Sequence, residues 1–218
     1  METLSPRLQA ITTYIDKDDY VADIGSDHGF LAIALRKSDL ASYIEASENK
    51  RGPYEALVNN VRRANTENLV VKFSDGLEKL GEQVNTLVLA GLGATSIVNI
   101  LLKDEAKLGQ INKIIALPHN EAYNLRKALV ERGFYISAEQ IIHDNELYYE
   151  LIVFKKGASN YSEDDLVFGP HNLANKSEAF KHKWEEHLSK INYLLSLNLD
   201  KTRRSELETY KERIKKQL

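Results

Sequence analysis

Short aliphatic runs recur along the first 155 residues with strand ends roughly 25 residues apart, a spacing that leaves room for one helix in each interval. The runs cover 20–24, 42–47, 69–73, 85–90 and 113–117, and "NTLVLA" at 85–90 is the clearest buried strand. The second run is polar for a buried strand. Between them, helical spacing predicts helices over 29–36, 52–63, 94–102 and 121–132, and over 4–15 before the first run. Pro53 suits a first helical turn, and Gly133 suits a helix stop. Such alternation predicts a doubly wound α/β sheet, because parallel neighbours need a crossover and helices then cover both faces. Two further runs, 134–142 and 147–155, have no helix between them and should pair antiparallel.

The pattern changes after residue 156. "GASNYSEDD" reads as a polar linker. Apolar positions then fall at Phe180, Trp184, Leu188, Ile191 and Leu195, and at Leu207, Tyr210 and Ile214. They predict two helices broken near 198–200 and packed as an antiparallel, coiled-coil-like hairpin. The expected division is a domain over 1–158 and a helical domain over 162–218.

Composition excludes several chemistries. The 218 residues include no cysteine, so disulfides, thiolate metal sites and a cysteine nucleophile are ruled out. The six histidines show no ligand spacing, His182 and His187 being a poor pair, so no metal is expected. No run reaches the roughly 18 apolar residues of a membrane helix, and no signal-peptide pattern is visible. A cytoplasmic protein without a membrane partner is the expectation. The net charge of -3 is uneven: residues 173–218 carry a balance of +4 and the remainder -7. A basic tail on an acidic body points to a polyanionic partner, although solvated helix faces carry similar charge.

"VADIGSDHGFLAIAL" at 21–35 carries the first candidate site. Ligands of open α/β sheets lie beyond the carboxyl ends of the strands. Asp23 precedes Gly25 and Gly29, which allow close backbone approach. The spacing is G-x-x-x-G rather than the dinucleotide G-x-G-x-x-G, which argues against an NAD(P) oxidoreductase. An acid before the first glycine suits a cationic ligand, unless it caps the following helix. A second acid should end the second strand and grip ribose hydroxyls; Glu48 is preferred, with Glu45 as competitor. Asp75 and Gly76 end the third strand, where an acid can accept from an adenine amine or simply shape a turn. Gly91 and Gly93 end the fourth.

These stretches together resemble the bacterial tRNA adenine-N1 methyltransferases of the TrmK type, which modify adenine 22. The similar segments are "SPRLQAI", "ADIGSDHGFLAIAL", "GPYEAL", "DGLEKL", "LAGLGATSIVNIL", "LRKAL", "YYELIV" and "DLVFGPHNL". The resemblance implies a class I, Rossmann-like fold dependent on S-adenosylmethionine (SAM), with a terminal antiparallel strand and a helical tail that helps hold tRNA. Position by position the family's motifs match Asp23, Gly25, Asp27, His28, Glu48, Asp75, Gly76, Gly91 and Gly93. The expected cofactor set is Asp23, Gly25, Ser26, Glu48, Asn49, Asp75, Gly76, Gly91 and Gly93. The chain departs from the family's G-M-G-G at Gly91-Leu92-Gly93-Ala94. It departs from L-Q-P-N at Ala116-Leu117-Pro118-His119. The rivals are a methyltransferase fold kept for RNA binding with altered or lost activity, and a SAM enzyme acting on another RNA or on a non-RNA substrate.

Adenine N1 carries an in-plane lone pair, so catalysis can be largely positioning. A carboxylate near the product cation would stabilise it; Asp27 is the candidate, with a helix N-cap as its alternative. His28 would orient the base or pack inertly. Phe30 or Tyr54 can stack on an unstacked base, with core packing the plainer reading. Pro118 and His119 stand at a strand end expected to face the target base, with His119 either a substituted base contact or a tolerated loop histidine. Lys181, Lys183, Lys190, Arg203 and Arg204 are candidate phosphate contacts.

Overall fold

A computed structural model describes residues 4–66, 68–120 and 122–218. Helix α1 (Pro6–Thr12) precedes β1 (Tyr20–Ile24), α2 (Phe30–Lys37), β2 (Tyr43–Glu48), α3 (Arg51–Ala64) and β3 (Leu69–Phe73). The chain continues through β4 (Thr86–Leu92), α4 (Ala94–Lys103), a 3-10 segment (Glu105–Gln110), β5 (Lys113–Pro118) and α5 (Tyr123–Val130). The helix expected over 121–132 is thus shorter, and Glu121 lies outside the described residues. Strands β6 (Phe134–Asp144) and β7 (Leu147–Lys156) complete a seven-stranded sheet of order β3-β2-β1-β4-β5-β7-β6. The first five strands are parallel, and β7 runs antiparallel to both β5 and β6.

Every residue of β5 is buried, as expected of a strand covered on both faces. One core packs α4 and α5 against the sheet through Ile97, Leu101, Leu125 and Leu129. The other packs α1, α2 and α3 through Ile11, Leu31, Leu35 and Leu57. A third cluster joins Ile141 of β6 to Phe168, Phe180, Trp184, Leu207 and Ile214 of the C-terminal helices.

The polar stretch after β7 is shorter than its composition suggests. Ser162 and Asp165 form a reciprocal capping box, so "SEDD" opens helix α6 (Glu163–Phe168). Helix α7 (Pro170–Asn175) follows, then α8 (Glu178–Leu195) and α9 (Lys201–Lys215).

A buried ionic cluster ties these helices to the sheet. Arg126 of α5 is fully buried and bonds Glu139 at 2.8 Å and Glu150 of β7. Glu150 also binds Lys183 of α8. Lys183 is only 6% exposed, which corrects its reading as a phosphate contact. Its ammonium is consumed inside the protein, because an unpaired carboxylate at Glu150 would carry a large desolvation cost.

Candidate active site

The sheet order sends the connections from β1 and β4 in opposite directions, so a crevice opens between their carboxyl ends. The turn after β1 forms its floor. Gly25 and Ser26 donate their N–H groups to the Ser47 carbonyl, each at 2.9 Å, which pins the turn to β2. Gly25, Asp27 and Gly29 all adopt positive φ, at 71°, 50° and 75°. At Gly29 a Cβ would stand 2.3 Å from Leu57 Cδ1, so glycine is needed for space as well as conformation. Helix α2 is capped at Gly29 without a side chain, so neither Asp23 nor Asp27 is its N-cap.

The acids lie where the strands end. Asp23 is 4% exposed and accepts from Ser26 Oγ at 2.6 Å. Burial pushes its carboxyl up to about 6, with the Ser26 hydrogen bond opposing and the Glu48 charge adding to the rise. Glu48 Oε1 accepts the N–H groups of Asn49 and Lys50 at 3.0 Å, while Oε2 accepts that of Asp27 at 3.3 Å. Glu45 is three residues earlier and faces the other side of the strand. There it meets Tyr43 Oη at 3.0 Å, Lys72 Nζ at 2.7 Å and the Gly81 N–H. Asp75 binds Asn49 Nδ2 at 2.9 Å and Lys103 Nζ at 2.5 Å, and these bonds lower its pKa.

Two adjoining cavities share Gly25, Asp27, Ala90 and Gly91. The first, about 640 Å³, adds Asp23, Ser26, His28 and Phe30, with Arg7 and Leu8 from α1. The second, about 510 Å³, adds Glu48, Asn49, Asp75, Gly76, Leu92 and Ile100. Gly93 lines neither cavity. It caps α4, whose first N–H, from Ala94, donates to Asn120 Oδ1 at 2.7 Å. Leu92 Cδ1 lies 3.5 Å from the Cβ position of Gly25, so the Met-to-Leu departure keeps an apolar wall.

His119 Nε2 lies 3.9 Å from the Cβ position of Gly91, and its ring meets Tyr149 edge-on at 5.9 Å. With Pro118 it lines a separate cleft of about 220 Å³ that reaches Glu186 and Lys190 of α8. Lys181, Arg203 and Arg204 line neither of the two main cavities. Lys181 pairs with Glu178, Arg203 pairs with Glu206, and Arg204 donates to the Leu197 carbonyl.

Sequence reasoning missed α1 as a wall of the site. Its apolar spacing signalled a helix, and nothing in that spacing signals what the polar face covers. Arg7 sits over the Tyr149 ring at 4.8 Å and 3.6 Å from Asp144, which carries it from α1 to the β6–β7 hairpin. Asn120 was also missed, because a loop asparagine carries no periodicity. Among the described residues no group of three or more metal-ligating side chains occurs, and no helix is long and apolar enough to cross a membrane.

The residues present fit SAM. A buried carboxylate without a cation on it, Asp23, lines the first cavity, chemistry that suits an ammonium. An amide-oriented carboxylate at Glu48 keeps lone pairs for ribose hydroxyls. The open backbone at Gly91 leaves room between the two chambers.

Comparison with known proteins agrees with this geometry. A family model described as tRNA (adenine(22)-N(1))-methyltransferase, TrmK, matches residues 21–218. A Bacillus subtilis protein named tRNA (adenine(22)-N(1))-methyltransferase is 29% identical over 194 residues, covering 85% of this chain and 81% of that one. A Streptococcus agalactiae structure described as a protein of the NADB-Rossmann superfamily superposes with a TM-score of 0.95 at 32% identity, over 100% of this chain and 98% of that one. A putative tRNA (m1A22) methyltransferase of Streptococcus pneumoniae, solved with S-adenosyl-L-methionine, gives 0.93 at 30% identity, over 99% and 100%.

Proposed function

The chain belongs to the tRNA (adenine(22)-N(1))-methyltransferase family, and on that premise we propose that it transfers a methyl group from SAM to N1 of adenine 22 in tRNA. The observation that carries the reading is the row of acids at the ends of β1, β2 and β3 around two joined chambers.

In this reading SAM supplies the electrophilic methyl group. The protein binds and aligns. Asp23, held by Ser26, takes the amino-acid ammonium. Glu48 takes the ribose hydroxyls, with its orientation set by three backbone amides. Asp75 and Asn49 border the adenine end, and Gly25, Gly76 and Gly91 leave backbone access. The target base enters the first chamber beside Asp27, His28 and Phe30.

The N1 lone pair forms the new bond to the methyl carbon while the bond from that carbon to sulfur breaks. No proton is removed, and the positive charge passes to the base. Asp27 stands where a carboxylate opposes that charge. His28, stacked on Phe30 at 5.6 Å, frames the base from one side. Pro118 and His119 lie outside this chamber, in the separate cleft that reaches α8. Residues 162–218, with Lys181, Arg203 and Arg204 on their surface, form the proposed tRNA-binding domain attached to a methyltransferase domain over 1–158. The cytoplasm is the proposed place of action.

The test is to incubate the protein with methyl-labelled SAM and unmodified bacterial tRNA, then digest the RNA. Labelled 1-methyladenosine at one position is expected. Bound SAM with no labelled nucleoside would overturn the assignment in favour of an RNA-binding role or another substrate.

A further inference from the structure

The first cavity does not end at the target chamber. Phe30 is shared with a further concavity of about 270 Å³ on the outer surface, between α2 and α3. Its walls are Phe30, Ile33, Ala34 and Lys37 from α2, and Asn60, Arg63 and Ala64 from α3. Both sets follow helical spacing, so each helix presents one continuous face to the groove. Phe30 is 40% exposed, uncommon for a phenylalanine with a core on the other side of its helix. Its ring is stacked on His28, and Asn60 Nδ2 donates to the His28 carbonyl at 2.9 Å. The groove and the catalytic turn are therefore one connected unit.

Charge sets this face apart. Residues 1–172 are acidic overall, yet α2 and α3 hold five Lys and Arg against the single acid Glu55. Arg51 is paired with Glu55, and Arg36 lies near Asp39. Lys37 and Arg63 form no ion pair among the described residues. Phe30 and Lys37 are about 10 Å apart along the helix at 1.5 Å per residue. That matches about three stacked nucleotides at ~3.4 Å each.

We propose that the α2–α3 groove holds the single-stranded RNA flanking the target adenine, with a neighbouring base stacked on Phe30 and its phosphates on Lys37 and Arg63. An aromatic platform beside a basic track is the arrangement single strands require. The proposal rests on the tRNA reading above and assigns RNA contact to the sheet domain, apart from the helical tail. It explains how the base is held out of its stack: the chain is gripped immediately beside the chamber the base enters.

The test compares wild type with a Lys37→Glu, Arg63→Glu double variant, reading tRNA affinity by fluorescence anisotropy across salt, SAM affinity by calorimetry, and methyl transfer. Kd and KM for tRNA should rise at least about tenfold, and the slope of log Kd against log salt should fall by about 1.4, about 0.7 for each of two single-strand phosphate contacts. SAM affinity should be unchanged. Phe30→Ala should lower kcat/KM on tRNA by about tenfold, with Phe30→Tyr recovering most of it. Should the double variant lose SAM affinity, the milder Lys37→Gln, Arg63→Gln protein is read instead. Unchanged tRNA affinity and salt slope overturn the groove while wild-type methyl transfer, and so the functional reading, stands. A wild-type protein that methylates no tRNA overturns the functional reading, and anisotropy then still decides whether RNA occupies the groove.

Discussion

Ser26 Oγ donates to Asp23 Oδ2 at 2.6 Å and fixes a buried carboxylate at the end of β1. The hydroxyl offsets only part of the burial cost, which pushes the Asp23 carboxyl up to about 6. A cation brought by the ligand favours the ionised form. SAM affinity should therefore be flat above about pH 7 and fall towards tenfold per pH unit below about 6. Calorimetry between pH 5 and 8 checks this; a pH-independent Kd would remove Asp23 from the ammonium site.

The same shift has a stability consequence. Because the folded pKa lies above the ordinary value of 3.8, the folded state holds the extra proton between the two values. Stability of the empty protein falls as pH rises from about 4 to 6, by roughly 3 kcal/mol in all. Asp23→Asn should raise the melting temperature of the empty protein at pH 7.5 while abolishing SAM binding. A variant that both melts lower and still binds SAM contradicts the assignment.

Glu45 and Glu48 separate structure from binding on one strand. Glu48→Gln should weaken SAM at least about tenfold, since it removes a ribose acceptor and sets an amide against backbone donors. Glu45→Gln should change SAM affinity less than about twofold and cost about 1–3 kcal/mol of stability through Lys72 and Tyr43. Urea titration and calorimetry on both proteins resolve the pair. Equal effects on SAM would mean that the two carboxylates do not divide the work.

Glu150 holds the tail to the sheet. The Arg126 and Lys183 charges lower its carboxyl to about 2 against the burial that raises it. Its contribution is present above the ordinary value of 4.5 and is lost as pH falls towards 2. Glu150→Ala leaves Lys183 buried without its carboxylate and Arg126 with Glu139 alone, and should cost about 3–5 kcal/mol. Lys183→Met should leave the salt dependence of tRNA binding unchanged. A reduced salt slope would restore Lys183 to the RNA surface.

Asp27→Asn should keep SAM affinity and lower kcat on tRNA by about 10²-fold, the scale of losing one charge-stabilising group. Single-turnover methyl transfer checks it. Full activity would leave alignment alone as the source of catalysis.

Strand alternation and strand-end chemistry were legible because both are local. The run at 69–73 is β3, and the acids at 23, 48 and 75 stand at strand ends because a strand must leave the sheet where its apolar run stops. Helix α6 was not legible: "SEDD" reads as linker by composition, and its capping box shows only when Ser162 and Asp165 face each other. The burial of Lys183 was equally hidden, since its partners Glu150 and Arg126 come from β7 and α5.

The order of apolar runs, turn glycines and acids was enough to specify an α/β sheet with a ligand site at its carboxyl edge, since hydrophobic period and backbone freedom are properties of neighbouring residues. The resemblance of its motifs implied SAM there. Packing across the sheet settled that Glu48 rather than Glu45 opens onto the chambers, that α1 walls the first of them, and which tail lysine is buried. Those outcomes depend on pleat direction and on residues tens to more than a hundred positions apart, which no local pattern encodes.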